Sequence, residues 1–178
     1  MPNWCSNTIT IQGPADKIRA LWEAACSKNG LLEAMSPIGE WVYGTAVDTW
    51  GTKWDIDIEG LEFTEESNGV ACISGYADSA WSPPIEAFEN YSAENPEVFL
   101  ELRYFEPGMG FIGTWDSDGN DYSWEDVGSP EILNVTQEEN MVLHNLLEDF
   151  NVWEYYEFDE DEDVEDVFDN VSDGLVNS

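Results

Sequence analysis

Positive charge is almost missing from this chain. Of its 178 residues, 39 are Asp or Glu, 5 are Lys or Arg and one is His, giving a formal net charge of −34. A surface of that sign repels DNA and RNA phosphates and anionic lipid headgroups, so neither direct nucleic-acid binding nor membrane binding is expected. With a single histidine, His144, there is no second member for a His dyad or a His-based metal cluster. Cysteine is sparse as well. Cys5, Cys26 and Cys72 are odd in number and form no CxxC pair, which argues against a disulfide framework or a zinc ribbon. Three packed thiols suit a reducing cytoplasm, the expected location. No apolar run reaches the ~18 residues of a membrane-spanning helix. The opening MPNWCSN lacks the basic and apolar regions of a secretory signal, so none is expected. No glycine loop of phosphate-binding pattern occurs, and no cofactor is expected.

Aromatic residues, in contrast, are plentiful. Nine Trp, seven Tyr and eight Phe, within a hydrophobic fraction of 42%, are enough to build a real core. The negative charge is spread throughout: residues 151–178 hold 11 acids and no Lys or Arg, and 28 acids face 5 bases in residues 1–150. Solubility, adaptation to high salt and attraction of basic proteins all account for such a balance.

The hydropathy pattern orders the elements. NTITIQG (7–13) alternates like a half-buried strand and ends at Gly13-Pro14. In 15–30, Ile18, Leu21, Trp22, Ala25 and Cys26 form one helical stripe, stopped by Asn29-Gly30. Residues 31–49 read as irregular. TKWDIDIEG (52–60) alternates and is expected to be the second strand. GVACISGYAD (69–78) is the third, a helix starting near Pro83-Pro84 follows, and EVFLELRYFEPG (97–108) is the fourth strand. Residues 110–127 predict a hairpin turning at Asp118-Gly119-Asn120, and 136–153 a helix with a Thr136/Glu139 capping box. The expected class is α+β: a ferredoxin-like split βαβ plan, β-α-β-β-α-β, with an added hairpin and C-terminal helix. The expected divisions are 1–127 for sheet and hairpin, 128–155 for the C-terminal helix, and 156–178 for an acidic tail.

In that plan strand 3 inserts between strands 1 and 2, and right-handed crossovers bring four unusual stretches to one end of the sheet. They are MPNWCSN, WGTKWD, AWSPP and FEPGMGF. Lys53 would then sit at a rim lined by Asn3, Trp4, Trp50, Trp54 and Trp81, facing an indole and pairing with Asp55 or another acid. There it either ties down the strand start, its stem lying against Trp, or anchors an anion or carbonyl in a shallow pocket. Arg103 is expected in a surface salt bridge. DSDGNDYSWEDV (116–127) fails as a calcium loop: Asp121 and Val127 stand where Gly and Glu are required, so no metal is expected. Cys5, with no histidine beside it in the sequence, reads as packed.

These same stretches carry a likeness. MPNWCSN, WGTKWD, AWSPP and YFEPGMGFIG, in that order over about residues 1–125, resemble the YubB ferredoxin-like family of bacteriophages, plasmids and genomic islands. The resemblance implies a ferredoxin-like fold and a mobile-element origin. It implies no activity and carries over no catalytic residue. The expectation that follows is a non-enzymatic accessory protein that binds a basic host protein, mimicking nucleic acid to inhibit a defence or nucleic-acid enzyme. The tail acids Asp159, Glu160, Asp161, Glu162 and Asp163 are candidates for that contact. A small-ligand or enzymatic site around Lys53, or a virion component, is the alternative. Oligomeric state is not legible.

Overall fold

The computed structural model describes residues 2–156. The alternation around Ile9 and Ile11 produces a long first strand, β1 (Trp4–Pro14), which runs straight into α1 (Ala15–Lys28). Ile18, Leu21 and Ala25 form the buried stripe of α1. Asn29 takes the left-handed conformation (φ 52°), and Gly30 N–H returns to the Ala25 carbonyl 3.1 Å away, closing the helix as the Asn-Gly pair predicts. Then come α2 (Leu31–Met35), α3 (Tyr43–Trp50), β2 (Leu61–Glu65), β3 (Val70–Ala80), α4 (Ile85–Glu94) and β4 (Phe99–Glu106). The hairpin β5 (Phe111–Asp116) and β6 (Asp121–Trp124) follows, then α5 (Pro130–Leu133), α6 (Met141–Asp149) and a closing 3-10 turn, Val152–Tyr155.

The class is α+β. One six-stranded sheet has the order β2-β3-β1-β4-β5-β6, and every neighbouring pair is antiparallel. Its two faces are covered unequally. Ile9, Ile11, Ile73, Leu100 and Leu102 pack with α1, α2, α3 and α4 in the larger core. On the other face, Phe105 and Ile112 pack with Leu143, Leu146 and Leu147 of α6 and with Val152. At nine residues α6 is too short to persist alone. Burial at about 1.5–3 kcal/mol per aliphatic side chain holds it on the sheet. Arg103 reaches across this face to pair with Asp149 of α6.

Three expectations need correction. Residues 52–60 are not a strand, and β2 begins only at Leu61. The Asp55 carboxylate accepts N–H bonds from Leu32 (2.6 Å), Glu33 (2.9 Å) and Ile56 (2.8 Å), and Asp57 accepts one from Glu59 (2.8 Å). Acids that bind nearby amides in this way divert the backbone from a ladder, although Ile56 is still buried as the alternation suggests. The irregular stretch contains two helices, α2 and α3, seated on Leu31, Leu32, Ala46 and Trp50. The last helix is shorter than 136–153. Asn140 caps α6 by accepting from Leu143 N–H (3.0 Å), while Thr136 and Glu139 bond each other in the turn before it. At the end of the described residues, the Tyr156 hydroxyl donates to the Pro107 carbonyl 2.9 Å away.

Candidate functional site

The four unusual stretches meet at one end of the sheet, in two layers. The lower layer is a buried polar network. The Asn7 amide donates to the Cys5 carbonyl (2.9 Å), the Ala77 carbonyl (3.0 Å) and the Ser79 hydroxyl (2.9 Å). Ser79 donates onward to the Ser82 carbonyl (2.7 Å), Ser82 to the Gly51 carbonyl, and Thr52 to the Ala80 carbonyl (2.8 Å). Strands β1 and β3 and the loops 51–54 and 81–84 are thereby tied together. Glu106, almost fully buried, accepts from the amides of Gly108 and Met109 (2.7 Å each) and so folds the turn after β4. A Cβ at Gly108 would stand 2.8 Å from the Asn3 side-chain amide nitrogen, so a larger residue there would push the Asn3 side chain aside. Cys5 lies beneath this layer, fully buried, and desolvation pushes its thiol pKa far above the ordinary value. It is a packed residue, not a nucleophile.

The upper layer is aromatic and open to solvent. Trp4, Trp54 and Trp81 are 49%, 38% and 46% exposed, whereas Trp50 is 3% exposed. Trp50 is therefore not a rim residue. It fills the core under α3 and donates its indole N–H to the Ser36 carbonyl (2.8 Å). Trp4 and Trp54 pack with ring centroids 6.2 Å apart. Trp81 has φ 74°, and its N–H donates to the Asn3 carbonyl (2.9 Å). A bulky residue in that region costs on the order of 1–3 kcal/mol, and Trp81 recovers little of this by burial. Helix α3 and the loop before it, read as irregular from sequence, add Trp41 and Tyr43, both exposed. Trp41 is pinned by its indole N–H to the Lys53 carbonyl (2.9 Å).

Lys53 Nζ lies 4.6 Å from the Trp54 ring centroid and 6.0 Å from that of Tyr43. Its aromatic partner is thus Trp54, as expected, joined by Tyr43 and not Trp50. Asp55 does not pair with it, because that carboxylate is committed to the amides at the start of α2. Burial raises the Asp55 pKa above the usual carboxylate value, and the three amide bonds offset only part of that rise. A pocket of about 340 Å³ opens beside Lys53, lined also by Tyr43, Thr52, Trp81 and Ser82. Across Trp54 and Trp4 lies a second, larger cleft of about 540 Å³, lined by Trp4, Asp57, Glu59, Tyr76 and Asp78 among others.

Comparison with protein-family models, with curated proteins and with solved structures finds no match.

Of the six rim residues expected from sequence, the fold brings Asn3, Trp4, Lys53, Trp54 and Trp81 to one end and buries Trp50 below them. Sequence reasoning did not find Trp41, Tyr43 or Tyr76. Tyr76 was findable, since it sits one step along the β3 alternation from the buried Ile73 side and projects from the other face. Asp116 is used up as a turn former, accepting from Asp118 N–H (2.9 Å), Asn120 N–H (3.1 Å) and the Asn120 side-chain amide (2.7 Å). His144 bridges Val135 and Glu148 on the surface of α6. Asp159, Glu160, Asp161, Glu162 and Asp163 lie outside the described residues.

Proposed function

We propose that this protein is a non-enzymatic binding protein that engages a basic protein partner through the aromatic end of its sheet. One observation carries the reading. Trp4, Trp41, Tyr43, Trp54 and Trp81 stay exposed at one end of a chain of net charge −34, beside a cleft walled by Asp57, Glu59 and Asp78. Exposed aromatics in a contiguous patch are the usual anchors of an interface. Carboxylates around them select a cationic partner and speed its approach. Arginine suits such a surface best, stacking on an indole while its guanidinium pairs with a carboxylate.

Part of the same proposal is that the sheet is a ferredoxin-like split βαβ. Support comes from β3 lying between β1 and β2, with α1 and α4 on one face and β4 beyond β1. The likeness to the YubB family, and with it a mobile-element origin and a cytoplasmic host setting, rests on the four motifs. In that setting the natural partner is a nucleic-acid-binding or defence protein whose cationic groove accepts dense carboxylates in place of phosphates.

The test is retention of proteins from a bacterial lysate on the full-length chain, at low and at near-physiological salt. We expect one basic protein to be retained, to be released by salt or by competing duplex DNA, and to be lost with Trp4→Ala/Tyr76→Ala. Retention that survives salt, DNA and that double substitution alike would refute the reading, and so would an empty column.

A further inference from the structure

We infer that the pocket around Lys53 is a second, separate site, and that it takes a monocarboxylate carried on an aromatic or apolar body. The observation is one of omission among cations. In a chain with 39 acids, Lys17 pairs with Glu97, Arg19 with Glu65, Lys28 with Glu33 and Arg103 with Asp149. Lys53 alone makes no ion pair among the described residues. Its ammonium is held instead over Trp54 and near Tyr43. The nearest carboxylate in sequence, Asp55, is turned to the amides of α2. A cation kept from every carboxylate of the described residues has its charge available to a ligand.

The pocket walls define the ligand. Thr52 and Ser82 donate their hydroxyls to backbone carbonyls, so they orient the loops and offer no donor to a guest. Lys53 supplies one positive charge. Tyr43 and Trp81 supply flat apolar walls, and Trp81 is held in its exposed position by a left-handed backbone. One charge matches a monoanion; a phosphate dianion would carry an unmatched charge into a strongly negative molecule. Most of the acids beyond about 8 Å are screened at physiological ionic strength, so they do not prevent a monoanion from entering. A volume of about 340 Å³ is at the small end of ligand pockets, the size of a ring bearing a short acid arm. This site does not depend on the basic partner proposed above. No residue lines both this pocket and the acidic cleft, although Tyr43 and Trp81 also belong to the aromatic patch proposed above for the partner.

The test is a titration of the full-length, ¹⁵N-labelled chain with phenylacetate, followed at the tryptophan indole N–H resonances. Phenylacetamide, the uncharged isostere, is run alongside. Phenylacetate should shift the Trp54 and Trp81 signals saturably, and the amide should bind at least about tenfold more weakly, the usual effect of losing a charged hydrogen-bond partner. Lys53→Met, which keeps the packed stem, should lose at least about tenfold in affinity, and Lys53→Arg should stay within about threefold. Absence of saturable shifts up to about 10 mM would overturn the site. Equal binding of the amide, or unchanged binding by Lys53→Met, would do the same. If Lys53→Met instead lost the protein partner, Lys53 would belong to that surface and the separate site would fall.

Discussion

The two layers at the end of the sheet come from the same short motifs, yet they obey different physics. WGTKWD puts Trp50 and Thr52 into the buried layer and Lys53 and Trp54 into the exposed one. MPNWCSN likewise divides into Asn7 below and Trp4 above, and the β3 exit into Ser79 below and Trp81 above. Below, every polar group has a partner and every indole is enclosed. Above, four indoles face water and a lysine faces rings. An unusual motif is thus no single signal: half of its residues make the end of the sheet rigid, and the other half use that rigidity.

The sharpest way to break the comparison is to remove one indole from each layer. Trp50→Ala should destabilise the protein by about 3–5 kcal/mol in urea unfolding, as large core truncations do. Trp54→Ala should cost clearly less, about 1–2 kcal/mol, because 38% of the residue is already exposed. Equal losses would show that the layers are not distinct. Next in size is Asn7→Ala, which deprives Ser79 and two carbonyls of their donor; about 1–3 kcal/mol should be lost by the same measurement.

Asp55→Ala should cost about 0.5–2 kcal/mol, the range for losing a capping side chain, and should appear first as faster amide exchange at Leu32 and Glu33. The pH dependence of this position has a definite sign. Its carboxyl pKa is raised in the fold by burial, so the folded state holds the proton more tightly than the unfolded chain. Its contribution is fullest below the unfolded Asp value near ~3.9 and is lost as pH rises through the folded value. The stability of wild type relative to Asp55→Asn should therefore fall across that window, and a rise would contradict the burial. The smallest effect is expected at Trp81→Gly. Relief of the left-handed strain and the added freedom of the unfolded chain oppose each other, leaving stability within about 1 kcal/mol of wild type.

Much of the framework could be read from periodicity. Strand β1, helix α1 and the hairpin at Gly119 each combine one clean period with a turn signal, and no long-range contact competes with it. WDIDIEG shows where that reasoning fails. Its alternation is that of a strand, but Asp55 bonds to amides more than twenty residues earlier in the chain, and no local pattern reveals such a partner. Helix α3 was missed for a different reason: YGTAVDTW is poor in strong helix formers, and its seat is the burial of Ala46 and Trp50. With α3 went Tyr43, the second ring beside Lys53. The lysine itself was conspicuous because cations are so scarce; its surroundings were not, because they depend on tertiary packing.

The sheet does not close on itself. Strands β2 and β6 end its order, so each has a side without a strand neighbour among the described residues. Such borders are templates for pairing with another copy of the chain. Here they are lined with acid: Glu62 and Glu65 on β2, Asp121 on β6, on a molecule whose every copy repels every other. The charge proposed above to select a partner would therefore also guard these borders against aggregation. That protection is electrostatic, so it should weaken in high salt and disappear once the carboxylates are protonated.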